Sequence, residues 1–134
     1  MTETKSIFVI DDDPITVFGF RKMLRDLHPD RPILTFGNGK QALEAVQELL
    51  RTGQPIPGVI FLDLNMPIMD GWQFLEAFLA LPVDRAVRIN IVTSSIDPND
   101  LRRWEEYKIR SPHRIDFHNK PIRRSDLEEI TRAA

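Results

Sequence analysis

Short, mostly apolar runs alternate along this chain with longer segments whose apolar residues recur at helical spacing. Ser6 to Ile10, Ile33 to Phe36, Val59 to Leu62, Val87 to Val92 and Ile115 to Phe117 are runs of the first kind and predict strands. The segment from Pro14 to Leu27 places Val17, Phe20, Leu24 and Leu27 on one stripe. Ala42, Leu43, Val46, Leu49 and Leu50 form a second stripe, and Phe74, Leu75, Phe78 and Leu79 a third. Leu101, Trp104 and Tyr107 are expected on the inner face of a fourth helix, and Leu127 and Ile130 on that of a fifth.

The helix starts carry their own signals. Asn38 and Asp70 are side chains that can accept from free N–H groups at a helix start. Asp97-Pro98 pairs a cap with proline at the first helical position. Ser125 to Glu128 reads as a capping box, and Asp13 as a cap for the first helix. Gly53 to Gly58 holds two prolines and two glycines and predicts a loop.

Strict alternation of five strands with five helices predicts parallel pairing through crossover helices. The expected fold is α/β, a five-stranded parallel sheet with helices on both faces. Nearly continuous apolar strands fit a sheet buried on both sides. At 134 residues the whole chain, 1–134, is expected to be one domain with no output domain after it.

Composition narrows the function. A formal net charge of −2 argues against general nucleic-acid binding. The absence of cysteine removes disulfides and thiol chemistry. No apolar run reaches membrane-spanning length, and no secretory leader is evident, so a cytoplasmic protein is expected. Arg102 to Arg124 holds eight basic residues and three acids. That stretch reads either as a solvated face or as a docking face for an acidic partner.

In open α/β sheets, sites form beyond the carboxyl ends of the strands. Asp11, Asp12 and Asp13 follow the first strand here, Asp63 the third, Thr93 the fourth and Lys120 the fifth. Clustered carboxylates remain ionised when a cation joins them, and oxygen ligands of this kind suit Mg²⁺. A carboxylate can also act as a nucleophile and form an acyl phosphate. Phosphoryl transfer needs positioning and neutralised equatorial oxygens, for which Lys120 and Thr93 supply an ammonium and a hydroxyl. Asp63 stands alone at its strand end and is the better nucleophile candidate. Asp11 and Asp12 suit joint metal holding, with the carbonyl of Asn65 completing the shell.

Four stretches carry a family resemblance: Val9 to Pro14, Phe61 to Gly71 (FLDLNMPIMDG), Val92-Thr93-Ser94-Ser95 and Asn119-Lys120-Pro121. They resemble, in order and element, the receiver domain of bacterial two-component response regulators, in particular stand-alone regulators of the chemotaxis kind. The resemblance implies a flavodoxin-like (βα)5 receiver. It implies Asp63 as phosphoacceptor, Mg²⁺ held by Asp11, Asp12, Asp63 and Asn65, and phosphoryl binding and switching by Thr93, Ser94, Lys120 and Phe117. It further implies a cis Lys120–Pro121 peptide. The expected partners are a histidine kinase or histidine phosphotransfer protein and a downstream target protein, with no turnover of an external substrate. The Pro98–Ile115 connection and the Leu50–Gly58 segment are longer than the family pattern.

Two other classes compete. Asp11-Asp12-Asp13 resembles the nucleophile motif of haloacid-dehalogenase-type phosphatases, which would make Asp11 the nucleophile of a hydrolase and leave Asp63 without a role. A binding module that no longer uses phosphorylation is the other. Trp72 and Trp104 read as packing residues, and His28, His113 and His118 share no ligand-like spacing.

Overall fold

The computed structural model describes residues 5–132. The strands are β1 (Ile7–Ile10), β2 (Ile33–Phe36), β3 (Val59–Leu62), β4 (Arg88–Thr93) and β5 (Arg114–Asn119). The helices are α1 (Pro14–Leu27), α2 (Gly39–Arg51), α3 (Gly71–Leu79), α4 (Pro98–Arg110) and α5 (Arg124–Arg132). All strands pair in parallel, in the order β2-β1-β3-β4-β5. The predicted α/β sheet is therefore present, with its topological switch beside β1.

The period-two alternation of strand side chains divides the core into two layers. Phe8, Ile10, Ile60, Leu62, Ile89 and Ile91 pack beneath α2, α3 and α4. Ile7, Val9, Val59, Phe61 and Val92 face α1 and α5, where the Phe20 and Phe61 ring centroids lie 5.0 Å apart. Each strand thus needs apolar residues on both faces, which is why the runs read as nearly continuous.

The predicted caps at Asp13, Asn38, Asp70 and Asp97 all form, with side chains accepting from Ile15, Gln41, Gln73 and Asn99 N–H groups. Asp70 and Gln73 form a reciprocal capping box. The last helix departs from expectation. It begins at Arg124, so Ser125 lies inside it, and Asp126 reaches back to accept from the Arg123 N–H at 3.2 Å. Leu101 departs as well: it is 46% exposed. The inner face of α4 is turned to present Asp100, Trp104 and Tyr107. Trp104 donates its indole N–H to the Ile115 carbonyl at 2.8 Å, and Tyr107 stacks on Trp72.

The two long connections are anchored at single residues. Ile56 of the α2–β3 loop is buried in the core. His113, in the α4–β5 loop, is buried and accepts at Nδ1 from the Val87 N–H at 2.9 Å.

Candidate functional site

Backbone register carries the acids to one edge. Ile10 of β1 lies level with Leu62 of β3, and Leu62 with Ile91 of β4. Asp11 and Asp63 are each the next residue after their strand, and their N–H groups donate to Phe36 and Ile10 carbonyls, both at 2.9 Å. Thr93 lies level with Asn119 of β5, so Lys120 leaves the sheet at the same edge. The Lys120–Pro121 peptide is cis. The side chains supplied by β1, β3, β4 and β5 therefore meet at the carboxyl ends of the strands.

Asp11, Asp12 and Asp63 each offer one carboxylate oxygen, and these atoms lie within 4.8 Å of one another. Asp11 and Asp63 are buried, while Asp12 is exposed. The Lys120 ammonium reaches Asp11 Oδ2 at 2.8 Å and Asp63 Oδ2 at 3.7 Å. Asp11 Oδ1 accepts from the Asp13 N–H at 2.8 Å, and Asp63 Oδ1 from the Leu64 N–H at 2.9 Å.

These contacts set the charge states. Burial, and after it the negative charge of Asp11, push the Asp63 pKa up to about 6 against the opposing pull of Lys120 and the Leu64 N–H. At Lys120 burial works against the ammonium. The hydrogen bond it donates to Asp11 and the charges of Asp63 and Asp11 outweigh it and hold its pKa above the usual lysine range. One lysine thus compensates incompletely for two buried carboxylates. The donor set is all oxygen, it is short of positive charge, and one of its acids opens to solvent. These features fit a hard divalent cation such as Mg²⁺.

Thr93 is fully buried, and its Oγ1 accepts from the Ser95 N–H at 3.1 Å. Asn119 Nδ2 donates to the Ser95 carbonyl at 3.0 Å and so ties the β4–α4 loop to β5. Ser94 and Asn65 are exposed at the same edge. Phe117 is half-buried, with its ring centroid 5.8 Å from that of Trp104. The histidines are dispersed, as their spacing implied. His28 bonds Thr131 at 2.6 Å, His113 bonds Val87, and His118 bonds Asn90 at 3.2 Å.

Two supporting glycines carried little signal in the sequence. A β-carbon on Gly71 would meet the Asp63 carbonyl oxygen at 2.3 Å, and one on Gly39 would meet the Met69 carbonyl oxygen at 2.9 Å. Both let a helix start press against the loop that follows Asp63. In that loop Ile68 has a φ of 71°, a left-handed conformation rare for a β-branched residue.

Comparison with known proteins agrees with this geometry. The family profile described as response regulator receiver domain matches residues 7–132. An uncharacterized response regulatory protein of Vibrio cholerae is 29% identical over 95% of this chain, which spans 43% of that protein. The chain covers less than half the length of the first curated relatives it matches. A two-component response regulator from Cytophaga hutchinsonii has a similar structure, with a TM-score of 0.79 and 25% identity, covering 98% of this chain and 97% of the other. The receiver domain of a Pseudomonas aeruginosa sensor histidine kinase, solved with a magnesium ion coordinated in its active-site cleft, aligns with a TM-score of 0.73 at 22% identity, covering 96% and 94%. With its sheet order, its acid edge and a family match over nearly its full length, this chain belongs to the response regulator receiver domain family.

Proposed function

We propose that Asp63 accepts a phosphoryl group from the phosphohistidine of a kinase or phosphotransfer protein, and that the domain signals through the resulting change in its partner surface. The observation that carries this reading is the convergence of three carboxylates and the Lys120 ammonium at one sheet edge, with the buried Thr93 hydroxyl beside them. Asp11, Asp12 and Asp63, with the Asn65 carbonyl, would hold Mg²⁺, which supplies charge neutralisation for the carboxylates and the phosphoryl oxygens.

The remaining chemistry belongs to the chain. A carboxylate oxygen of Asp63 attacks phosphorus, the phosphorus–nitrogen bond of the donor breaks, and its electron pair returns to the imidazole. The Leu64 N–H holds the other side of the carboxylate in place. Lys120 balances charge on one equatorial oxygen, and Thr93 donates its hydroxyl to another. Ser94 lies next to Thr93 at the exposed rim, and Phe117 would follow Thr93 when it moves. A later attack by water on phosphorus releases inorganic phosphate and restores the carboxylate.

The surroundings favour a macromolecular donor. Ile15, Ile68 and Ile96 are 82%, 76% and 94% exposed, each in a segment that leaves the carboxyl edge of the sheet. Ile15 also lines an apolar cleft of about 190 Å³ with Phe20, Met23, Pro121 and Ile122. A receiver domain is a signalling module, not an enzyme turning over an external substrate, and Asp63 as phosphoacceptor keeps it one. No helix among the described residues is long and apolar enough to cross a membrane. A cytoplasmic setting is part of the proposal, as is one receiver domain formed by residues 1–134.

The test is intact mass after incubation with acetyl phosphate and Mg²⁺. One added phosphoryl group, absent without the metal and absent in Asp63→Asn, is the expected result. Gain that survives Asp63→Asn but is lost in Asp11→Asn would instead favour the phosphatase-like assignment of Asp11.

A further inference from the structure

A continuous chain of polar contacts leaves the site in a direction that the phosphoacceptor chemistry does not use. Thr93 Oγ1 accepts from the Ser95 N–H at 3.1 Å. The Ser95 hydroxyl accepts from the Asp97 N–H at 3.2 Å and donates to Asp100 Oδ2. The other oxygen of Asp100 accepts the indole N–H of Trp72 at 3.0 Å. Asp100 lies in the first turn of α4 and Trp72 in the first turn of α3, so this carboxylate joins the two helices at their site-proximal ends.

Beyond Asp100 the seam is aromatic. Trp72 stacks on Tyr107, with ring centroids 5.6 Å apart and an interplanar angle of 14°. Arg103 covers the Trp72 ring at 4.9 Å, and Arg110 the Tyr107 ring at 4.8 Å. The Tyr107 hydroxyl donates to Glu76 of α3, which also pairs with Arg110 at 3.5 Å. Stacked rings and tethered charges have few alternative arrangements, so displacement at one end is passed on rather than absorbed.

We propose that Asp100 is a positioning residue that transmits the location of Thr93 to the α3–α4 seam, so that phosphorylation of Asp63 is read on the Trp72–Tyr107 face. This rests on the assignment of Asp63 as phosphoacceptor. A phosphoryl group on Asp63 is a charged, strong acceptor for the Thr93 hydroxyl. Drawing that hydroxyl toward Asp63 pulls on the Ser95 N–H, and Ser95 is joined to Asp100 by its own side chain. The carboxylate can follow only by moving the Trp72 indole or releasing it.

The chain contains two tryptophans, so Trp104→Phe leaves Trp72 as the sole indole. In ¹⁵N-labelled Trp104→Phe protein, acetyl phosphate with Mg²⁺ is expected to shift the Trp72 indole N–H resonance, while intact mass on the same sample reports phosphorylation. Adding Asp100→Ala should leave the mass gain in place and abolish the shift. Adding Asp100→Asn should restore the shift, because the amide can accept from the indole and donate to the Ser95 oxygen. Ser95→Ala cuts the same chain from its other end and should also abolish the shift, so a folding defect in one variant does not decide the matter. A resonance that stays fixed in fully phosphorylated protein overturns the coupling. A shift of equal size in Asp100→Ala also overturns it and points to the Gly71 contact with Asp63 instead. Absence of any mass gain overturns the phosphoacceptor assignment, and the coupling with it.

Discussion

Gly71, the first residue of α3, lies against the backbone of the phosphoacceptor candidate: its N–H donates to the Leu64 carbonyl at 2.9 Å, and a β-carbon there would sit 2.3 Å from the Asp63 carbonyl oxygen. The start of α3 therefore buttresses the end of β3, where Asp63 leaves the sheet. Gly71→Ala cannot be relieved by a rotamer change, since the clash is with backbone. It should cost about 3 kcal/mol of stability, at the upper end of overpacking effects. Urea denaturation would read this as a lowered midpoint at unchanged slope. Protein that remains folded should gain phosphoryl from acetyl phosphate more slowly, because the Asp63 carboxylate is displaced from Asp11 and Lys120.

Much of this arrangement was legible in the sequence for a physical reason. A doubly buried parallel strand needs apolar residues on both faces, so Val59 to Leu62 declared itself without ambiguity, and the acid after it stood out. Asp13, Asn38, Asp70 and Asp97 announced helix starts because few side chains satisfy free N–H groups. The polar interior of β4 was not legible. Asn90 is fully buried between Ile89 and Ile91, and it meets His118 of the neighbouring strand at 3.2 Å. Only strand order makes those residues neighbours. Leu101 misled because helical spacing defines a stripe but not its direction. The rotation of α4 is set by Trp104 and Tyr107, whose hydrogen bonds to Ile115 and Glu76 outrank one leucine contact. Gly71 was visible as part of a turn, but its close approach to Asp63 is a property of the packed loop.

Ile68 occupies its left-handed conformation at the centre of a tight turn, in which the Met69 N–H donates to the Pro67 carbonyl at 2.7 Å. A β-branched side chain in that region costs about 1–2 kcal/mol, and the residue is 76% exposed, so no burial offsets it. Ile68→Gly should therefore raise stability by about 1 kcal/mol, the relief of strain exceeding the extra chain entropy of glycine in the unfolded state. If the exposed isoleucine contributes to donor docking, the same variant should be phosphorylated normally by acetyl phosphate and more slowly by a phosphohistidine protein. A lowered urea midpoint would show that the turn is not strained.

The acid edge makes a pH prediction with a definite sign. The Asp63 pKa is raised in the folded state, by burial first and by Asp11 second, to about 6. The folded protein thus holds this proton more tightly than the unfolded chain, whose aspartates titrate near 3.9. Stability associated with Asp63 is present below the unfolded value and is lost as pH rises through about 6. Asp63→Asn stays uncharged throughout. In metal-free buffer it should exceed the wild type by about 3 kcal/mol at neutral pH, with the gap closing below about pH 4. Mg²⁺ should narrow the gap at neutral pH by stabilising the wild type selectively, by about 1.4 kcal/mol at tenfold over its dissociation constant. Thermal or urea denaturation with chelator and with Mg²⁺ checks both statements, and a wild type no less stable than the variant in chelator contradicts them.

His113 should act in the opposite direction. Its ring is buried against Phe78, with centroids 5.2 Å apart, and Nδ1 accepts from the Val87 N–H just before β4. Burial holds its pKa below the ordinary histidine value. Protonation would place a second N–H against the first, breaking the bond that closes the α4–β5 loop onto the sheet. The folded pKa is depressed, so the stability tied to neutral His113 is complete above the unfolded value of about 6.5 and is lost as pH falls through the folded one. In the Asp63→Asn background, which removes the opposing titration, stability should decline as pH drops from 7 toward 5. His113→Leu removes the acceptor and leaves the Val87 N–H unpaired, at a cost of about 1–3 kcal/mol at neutral pH. It should also make the decline shallower without abolishing it, because burial depresses His28 and His118 as well. A decline of unchanged steepness in His113→Leu would place the acid sensitivity elsewhere, with His118 beneath α5 the next residue to substitute.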